Sequence, residues 1–267
     1  MAHFKVLFIG DIIGKLGRLV TELVLPELKQ EYKPDLIVAN GENSAHGYGI
    51  TEKVYKELLG MGIQAITMGN HVWDKRELLK DIDKLPLVVR PANYPPGAPG
   101  KSVLTIEKSG TVIAIVNLSG RTFMQSLDCP FQAVDKLLPK IKTNLVLVDM
   151  HAEATSEKAA MGWHLDGQVS AVVGTHTHVM TADERILPKG TAFISDVGMV
   201  GAYDSIIGMN KEQILKRFTS QLPERFEPTT SGPGLFNAVL IKLDAISGQA
   251  KEIKPIRKII KEPTKKK

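Results

Sequence analysis

Short apolar runs alternate with amphipathic segments along the first third of the chain. The runs have the length of buried strands, and the segments between them repeat apolar residues every three or four positions, as helices facing a sheet do. The pattern predicts strands at 5–9, 36–39 and 64–68, and helices at 16–28, 51–60 and 74–85, with Thr51 and Asp74 as N-caps. Alternating strands and helices favour an α/β fold with a mainly parallel sheet.

The pattern changes after a loop at 91–100, which is rich in proline and glycine. Two strands around Ser109-Gly110 predict an antiparallel hairpin. Later segments predict helices at 131–141, 156–163 and 211–220, and strands at 144–148, 169–173, 191–195, 235–243 and 251–259. We find no internal repeat or linker, so we expect a single domain over residues 1–260 and a basic, disordered tail over residues 261–267.

Polar residues stand where these strands end. In parallel α/β sheets, ligands bind beyond the carboxyl ends of the strands. Any one of these residues could be an ordinary turn residue, but the set as a whole is too rich in metal-binding side chains for that explanation. The set consists of Asp11, Glu42, Asn43, Asn70, His71, His151, His176 and His178.

The segment from Gly174 to His178 dominates this set. It follows an apolar, β-branched strand and places two histidines one residue apart, and neutral imidazole is the commonest metal-binding side chain. We expect the glycine to let the backbone turn tightly there and come close to whatever the histidines hold. By itself, the segment is equally consistent with two ordinary loop histidines.

The composition of the set indicates two metal ions. Two acids, two amides and three or four imidazoles exceed the roughly four ligands that one zinc ion takes. They suit two ions bridged by a carboxylate. Because no thiolate is present, iron, manganese or zinc fits the set and copper(I) does not, whereas magnesium alone would prefer more oxygen.

The order of these motifs resembles that in the calcineurin-like metallophosphoesterases. Their residues are most similar to those of the bacterial YmdB-like branch. The resemblance spans nearly the whole chain. It departs from the commoner pattern of the superfamily at Ile13, where a histidine is usual, and at Glu42, where an aspartate is usual. The matching blocks are Asp11, Gly41-Glu42-Asn43, Gly69-Asn70-His71, His151 and the Gly174–His178 segment.

The resemblance implies a fold, a ligand set and an activity. The fold is a four-layer αββα arrangement with two mixed sheets face to face. One metal would take Asp11, Asn43 and His178, and the other Asn70, His151 and His176, with Glu42 and a hydroxide nucleophile bridging them. His71 would stay unligated and either act as the acid that protonates the leaving alkoxide or stabilise the phosphoryl transition state.

The implied activity is hydrolysis of small phosphodiesters, with cyclic nucleotides such as 2′,3′-cyclic AMP as the substrate class. Iron or manganese is expected first and zinc second. A phosphomonoesterase is the alternative within enzymes, and a regulatory protein that binds metal and RNA is the alternative outside them. The resemblance also makes a homo-oligomer a reasonable expectation.

Charge adds little to this picture. The chain of 267 residues has a net charge of +5, but the part from Lys251 onwards carries +6, which leaves the remainder at −1. The charge pattern therefore does not indicate a nucleic-acid-binding domain, although the basic tail motivates the RNA alternative. A single cysteine, no secretory apolar segment and no run of about 18 apolar residues lead us to expect a cytoplasmic protein without a membrane span.

Four further residues were weaker candidates. Arg121 could grip a phosphate or form a surface ion pair, and His46 could contact substrate or lie in a solvated loop. Asp149 and Asp196 could each orient a ligand histidine or cap a turn.

Overall fold

The computed structural model describes residues 3–264, and within them strands and helices alternate much as predicted. The helices are α1 (Gly14–Tyr32), α2 (Glu52–Gly60), α3 (Leu78–Asp81), α4 (Pro130–Leu137), α5 (Thr155–His164) and α6 (Lys211–Ser220). The strands are β1 (His3–Ile9), β2 (Asp11–Ile12), β3 (Leu36–Asn40), β4 (Ala65–Thr67), β5 (Val88–Val89), β6 (Val103–Lys108), β7 (Thr111–Ser119), β8 (Leu145–His151), β9 (Ala171–Thr175), β10 (Arg185–Ile186), β11 (Ala192–Ile194), β12 (Met199–Ala202), β13 (Gly234–Asp244) and β14 (Ala250–Ile260).

The strands within residues 3–264 form two mixed sheets. The first has the order β2-β12-β13-β1-β3-β4-β5, with β14 paired to the long strand β13. The second has the order β10-β11-β9-β8-β7-β6. In the first sheet β1, β3, β4 and β5 run parallel, and in the second β7, β8, β9 and β11 do. The predicted mixed α/β class is confirmed.

The strand β1 shows how the layers are built. Successive side chains of a strand point to opposite faces. Phe4, Val6 and Phe8 therefore join the core between the two sheets, whereas Leu7 and Ile9 pack under the helices α1 and α2. The helices α4 and α5 cover the outer face of the second sheet. The four-layer αββα arrangement implied by the resemblance is confirmed.

Local signals placed several elements correctly. The Thr51 side chain accepts a hydrogen bond from the Val54 amide and caps α2. The predicted hairpin joins β6 and β7, with Lys108 opposite Thr111. Ser109 and Gly110 both have positive φ, as a two-residue hairpin turn with the twist of its strands requires.

The predicted helix at 74–85 is wrong. The helix α3 is only one turn long and is followed by a 3₁₀ turn over Ile82–Lys84. The carboxylate of Asp74 does not cap a helix but lies 2.7 Å from Nδ1 of His71. The short strands β2, β10 and β12 were also missed, because strands of two to four residues carry too little periodicity to detect.

The C-terminal tail is only partly described. Residues 261–264 follow β14, and residues 265–267 of the predicted disordered tail lie outside the described residues. Among residues 3–264, no helix is both long enough and apolar enough to cross a membrane.

The core between the sheets gives a first test. The Phe8 side chain is fully buried there. We expect Phe8→Ala to lower the free energy of unfolding by about 3–5 kcal/mol, because it removes buried apolar surface and leaves a cavity. Urea denaturation measures the change. Phe218→Ala is the control, since that side chain on α6 is 69% exposed, and it should change stability by about 0.5 kcal/mol or less.

Candidate metal centre

The carboxyl ends of the parallel strands bring all seven predicted ligands together. Asp11 begins β2, Glu42 and Asn43 follow β3, and Asn70 follows β4, so the first sheet supplies the carboxylates and amides. The second sheet supplies the imidazoles. These are His151 at the end of β8 and His176 and His178 directly after β9.

One group of donor atoms converges on His151. Its Nε2 lies 2.8 Å from Oε1 of Glu42, 3.0 Å from Oδ1 of Asn70 and 3.0 Å from Nδ1 of His176. A single ring nitrogen can donate one hydrogen bond and cannot satisfy three acceptors at once. Of these side chains, Glu42 and His151 are fully buried. These polar atoms therefore lie closer together around Nε2 of His151 than hydrogen bonding to one ring nitrogen explains.

A second group converges on Asn43. The amide nitrogen of Asn43 lies 3.2 Å from Nε2 of His178, 3.5 Å from Oδ1 of Asp11 and 3.4 Å from Oε1 of Glu42. Nε2 of His178 and Oδ1 of Asp11 are 3.8 Å apart. A half-turn of the Asn43 amide would present its oxygen at the same place. Since Oε1 of Glu42 touches both groups, this carboxylate stands between them.

The electrostatics of the centre are strongly coupled. Burial raises the pKa of Glu42, but the charge and hydrogen bond of His151 outweigh it and hold the pKa well below its usual range. The same carboxylate overcomes the effect of burial on His151 and raises the pKa of that imidazole. Burial and the neighbouring His151 lower the pKa of His176, which keeps its ring neutral and able to bind a metal.

Each of the three histidines has its other ring nitrogen tied to an acceptor outside the two groups. Nδ1 of His151 lies 2.8 Å from Oγ1 of Thr175, and Nε2 of His176 lies 3.1 Å from Oε2 of Glu153. Nδ1 of His178 donates to the carbonyl of Ile207 at 2.9 Å. Such partners fix the tautomer and direct the lone pair of the remaining nitrogen into the centre.

A buried polar network supports His151 from behind. The Thr175 hydroxyl donates to Asp149 at 2.7 Å, and it is therefore free to accept from His151. Asn40 donates to Asp149 and accepts from the Glu42 amide through its Oδ1. Burial raises the pKa of Asp149 to about 7. Asp149 thus orients a candidate ligand through Thr175, one of the two roles considered for it.

The loop that carries His176 and His178 has a strained backbone. Both histidines have positive φ, 105° and 66°, which is uncommon for residues other than glycine. The carboxylate of Asp196 holds the loop by accepting from the amide and hydroxyl of Thr177 between them. Asp196 is itself paired with the buried Lys158 at 2.8 Å. This anchoring offsets the strain and fixes the positions of both imidazoles.

At two positions near the centre, neighbouring atoms leave no room for a side chain, so glycine is required. A Cβ on Gly69 would overlap His151 and Glu42, and one on Gly174 would overlap the carbonyl oxygen of Ser195. The tight turn predicted at Gly174 is wrong, because the residue lies within β9. The close approach that requires glycine there is to the carbonyl of Ser195, directly after β11.

His71 lies beside the groups and belongs to neither. Its amide donates to Oε2 of Glu42 at 3.0 Å, which places it at the edge of the centre. Its Nδ1 faces Asp74, and its ring packs edge-on against Tyr48 with centroids 5.0 Å apart. The side chain remains 27% exposed, and Nδ1 is the ring nitrogen that Asp74 occupies.

Sequence reasoning missed some contributors to the centre. Glu153, Asn40 and Lys158 were not singled out, because only the fold brings them to the centre. Arg121 is exposed and its guanidinium contacts Sγ of Cys129. His46 is exposed in its loop, with a positive φ.

The donor chemistry fits two metal ions. Nitrogen and oxygen ligands bound at about 2.1 Å to one ion stand roughly 3 Å apart, which is the spacing around His151. Among the described residues, the ligand atoms of Glu42, His151 and His176 form a cluster within 4.8 Å that could hold one metal ion. Asp11, Asn43 and His178 form the second group of possible donor atoms, and Oε1 of Glu42 touches both groups.

Comparison with known proteins gives one family. The family model for the YmdB-like proteins matches residues 7–256. The chain is 51% identical over 254 residues to the 2′,3′-cyclic-nucleotide 2′-phosphodiesterase of Bacillus subtilis, covering 94% of this chain and 96% of that protein.

Two solved structures share the fold over almost the whole chain. A phosphatase from Mycoplasma pneumoniae superposes with a TM-score of 0.93 at 37% identity, covering 98% of this chain and 96% of that one. A protein from Thermus thermophilus superposes with a TM-score of 0.91 at 43% identity, covering 96% and 100%.

The outer partner of His151 gives a second test. Thr175→Val keeps the volume of the side chain but removes the hydroxyl between His151 and Asp149. We expect metal affinity to fall by about 10–100-fold, because the imidazole loses the partner that fixes its orientation. Titration of the metal-stripped protein with Mn²⁺ measures this. Thr175→Ser should retain most of the affinity, and equal affinity in the Val and wild-type proteins would contradict the assigned role.

Proposed function

The chain belongs to the YmdB-like protein family, and we propose that it is a metal-dependent phosphodiesterase that hydrolyses small cyclic nucleotides such as 2′,3′-cyclic AMP. The observation that carries the proposal is the pair of donor groups that share Glu42, with His71 unligated beside them. The activity of the Bacillus subtilis relative supports the substrate class.

The metal ions that fit this donor set are iron or manganese, with zinc as the alternative. Imidazole, carboxylate and amide donors without a thiolate are borderline to hard ligands. When bound, two such ions neutralise the charge of the phosphoryl oxygens and lower the pKa of a water nucleophile towards about 7. The strained but anchored loop of His176 and His178 keeps their ligand nitrogens in place without rearrangement.

His71 is the proposed general acid. Hydrolysis forms a bond from a water oxygen to phosphorus and breaks the bond from phosphorus to the leaving sugar oxygen, which needs a proton. Asp74 holds the His71 ring through Nδ1, so Nε2 is the atom free to give that proton. The backbone bond from His71 to Glu42 fixes this acid relative to the centre. A positioned general acid contributes roughly 10²–10⁴-fold to the rate.

A variant of this acid gives a third test. We expect His71→Ala to lower kcat for 2′,3′-cyclic AMP by about 10²–10⁴-fold while the bound metal content stays unchanged. His164→Ala is a matched control, because His164 also pairs with an aspartate at 2.7 Å, on α5 away from the centre. Full activity in His71→Ala with normal metal content would refute the role.

The class of reaction is tested with paired chromogenic substrates. The metal-stripped protein is reloaded with Mn²⁺ or Fe²⁺ and given a p-nitrophenyl phosphate monoester and a bis-p-nitrophenyl diester. We expect metal-dependent cleavage of the diester, lost in Asn70→Ala because a ligand is removed. A preference for the monoester would favour a phosphomonoesterase instead. Binding of metal without turnover of either substrate would contradict an enzymatic function.

A further inference from the structure

A cavity of about 590 Å³ adjoins the metal centre. The side chain of His178 lines it, and the same imidazole directs Nε2 towards Asn43. Its walls are largely apolar, with Met180, Met199 and Leu235 among them. A cavity of this volume with a few polar groups in apolar walls is typical of a small-molecule site.

One wall of the cavity contains a buried amide oxygen without a partner. Asn237 on β13 is only 2% exposed, and its Oδ1 has no hydrogen-bond partner among residues 3–264. Its backbone carbonyl accepts from the Gly10 amide. Oε2 of Glu184, which also lines the cavity, is likewise buried and unpaired within the described chain. Buried polar groups are nearly always satisfied, so these two point to a ligand with hydrogen-bond donors.

The hydrogen-bonding groups of an asparagine side chain restrict the class of ligand that would fit. A side-chain amide places an acceptor next to a donor, and it can pair with the amino group and ring nitrogen of adenine through two hydrogen bonds. Apolar walls suit the flat faces of a base. Arg257, the cross-strand neighbour of Asn237, also lines the cavity and lies over the ring of Tyr203 at 5.8 Å.

Ile207, which lines the cavity, is hydrogen-bonded to the candidate metal ligand His178. Ile207 has a φ of 49°, which is strained for a β-branched residue, and its side chain lines the cavity while remaining 46% exposed. Its carbonyl accepts the hydrogen bond from Nδ1 of His178. Ile207 thus lines the cavity and also orients the imidazole of His178. The cavity and the centre are therefore adjacent.

We propose that this cavity is the nucleobase subsite of the enzyme and that Asn237 reads the donor and acceptor edge of adenine. The inference rests on the proposed function, because it assumes that the phosphate of a cyclic nucleotide lies at the metal centre. The base then lies on the side of His178, and the leaving oxygen faces His71.

The first test distinguishes recognition of the base from hydrolysis of the cyclic phosphate. We expect Asn237→Leu to lower kcat/KM for 2′,3′-cyclic AMP by about tenfold, mainly through KM, because two hydrogen bonds to the base are lost. Hydrolysis of methyl ribofuranoside 2′,3′-cyclic phosphate, which has no base, should not change. The melting temperature should not fall, since leucine replaces an amide whose oxygen is unpaired with an apolar side chain of similar size.

The second test does not depend on turnover. Adenosine is titrated into the wild-type protein and into Asn237→Leu by calorimetry, without added metal. We expect adenosine to bind the wild type and to bind the variant at least tenfold more weakly. Asn144→Leu is the matched control, because Asn144 is exposed at the opposite end of β8 from His151. It should bind adenosine as the wild type does.

The outcomes distinguish the two proposals. Equal losses on both cyclic phosphates, or no loss on either, would overturn the subsite, as would adenosine binding that Asn237→Leu leaves unchanged. Failure of the wild type to bind adenosine would also overturn it. If the wild type hydrolyses no phosphodiester, the proposed function fails and the adenosine titration alone decides whether the cavity binds a base.

Discussion

The contact between Glu42 and His151 is the interaction on which the rest of the centre depends. It joins a carboxylate from the first sheet to an imidazole from the second across 2.8 Å of fully buried space. Neither sheet alone holds a complete ligand group, because one contributes oxygen donors and amides and the other contributes the imidazoles. The packing of the two sheets is therefore the step that assembles the chemistry.

Burying so many polar groups is costly unless each has a partner. In the structure, these partners lie at two distances from the centre. The groups nearest the centre face one another, and behind them Asn40, Asp149 and Thr175 form hydrogen bonds that leave little freedom to His151 and Glu42. The buried pair of Lys158 and Asp196 does the same for the loop after β9. Rigidity at the centre thus comes from residues that would bind no metal.

The surroundings of the centre are asymmetric, and this asymmetry is what suggests a direction for the substrate. His71 has a ring nitrogen with no role in the donor groups, and Asp74 holds the other ring nitrogen. His178 borders a cavity with apolar walls and the unpaired amide oxygen of Asn237. Proton delivery and base recognition would then use different residues around the phosphate.

The sequence by itself indicated the α/β class, most long elements and the set of polar residues at the strand ends, whereas the division of that set into seven candidate ligands and an unligated His71 came from the family resemblance. The sequence could indicate these features because strand periodicity is local and because parallel strands must present their carboxyl ends at one edge. The two-sheet division came from family resemblance and not from periodicity. Only the tertiary structure decided that Asp74 pairs with His71 instead of capping a helix, that Glu153 supports His176, and that Asn237 is buried without a partner. Those facts depend on contacts between residues far apart in the chain, which no local pattern encodes.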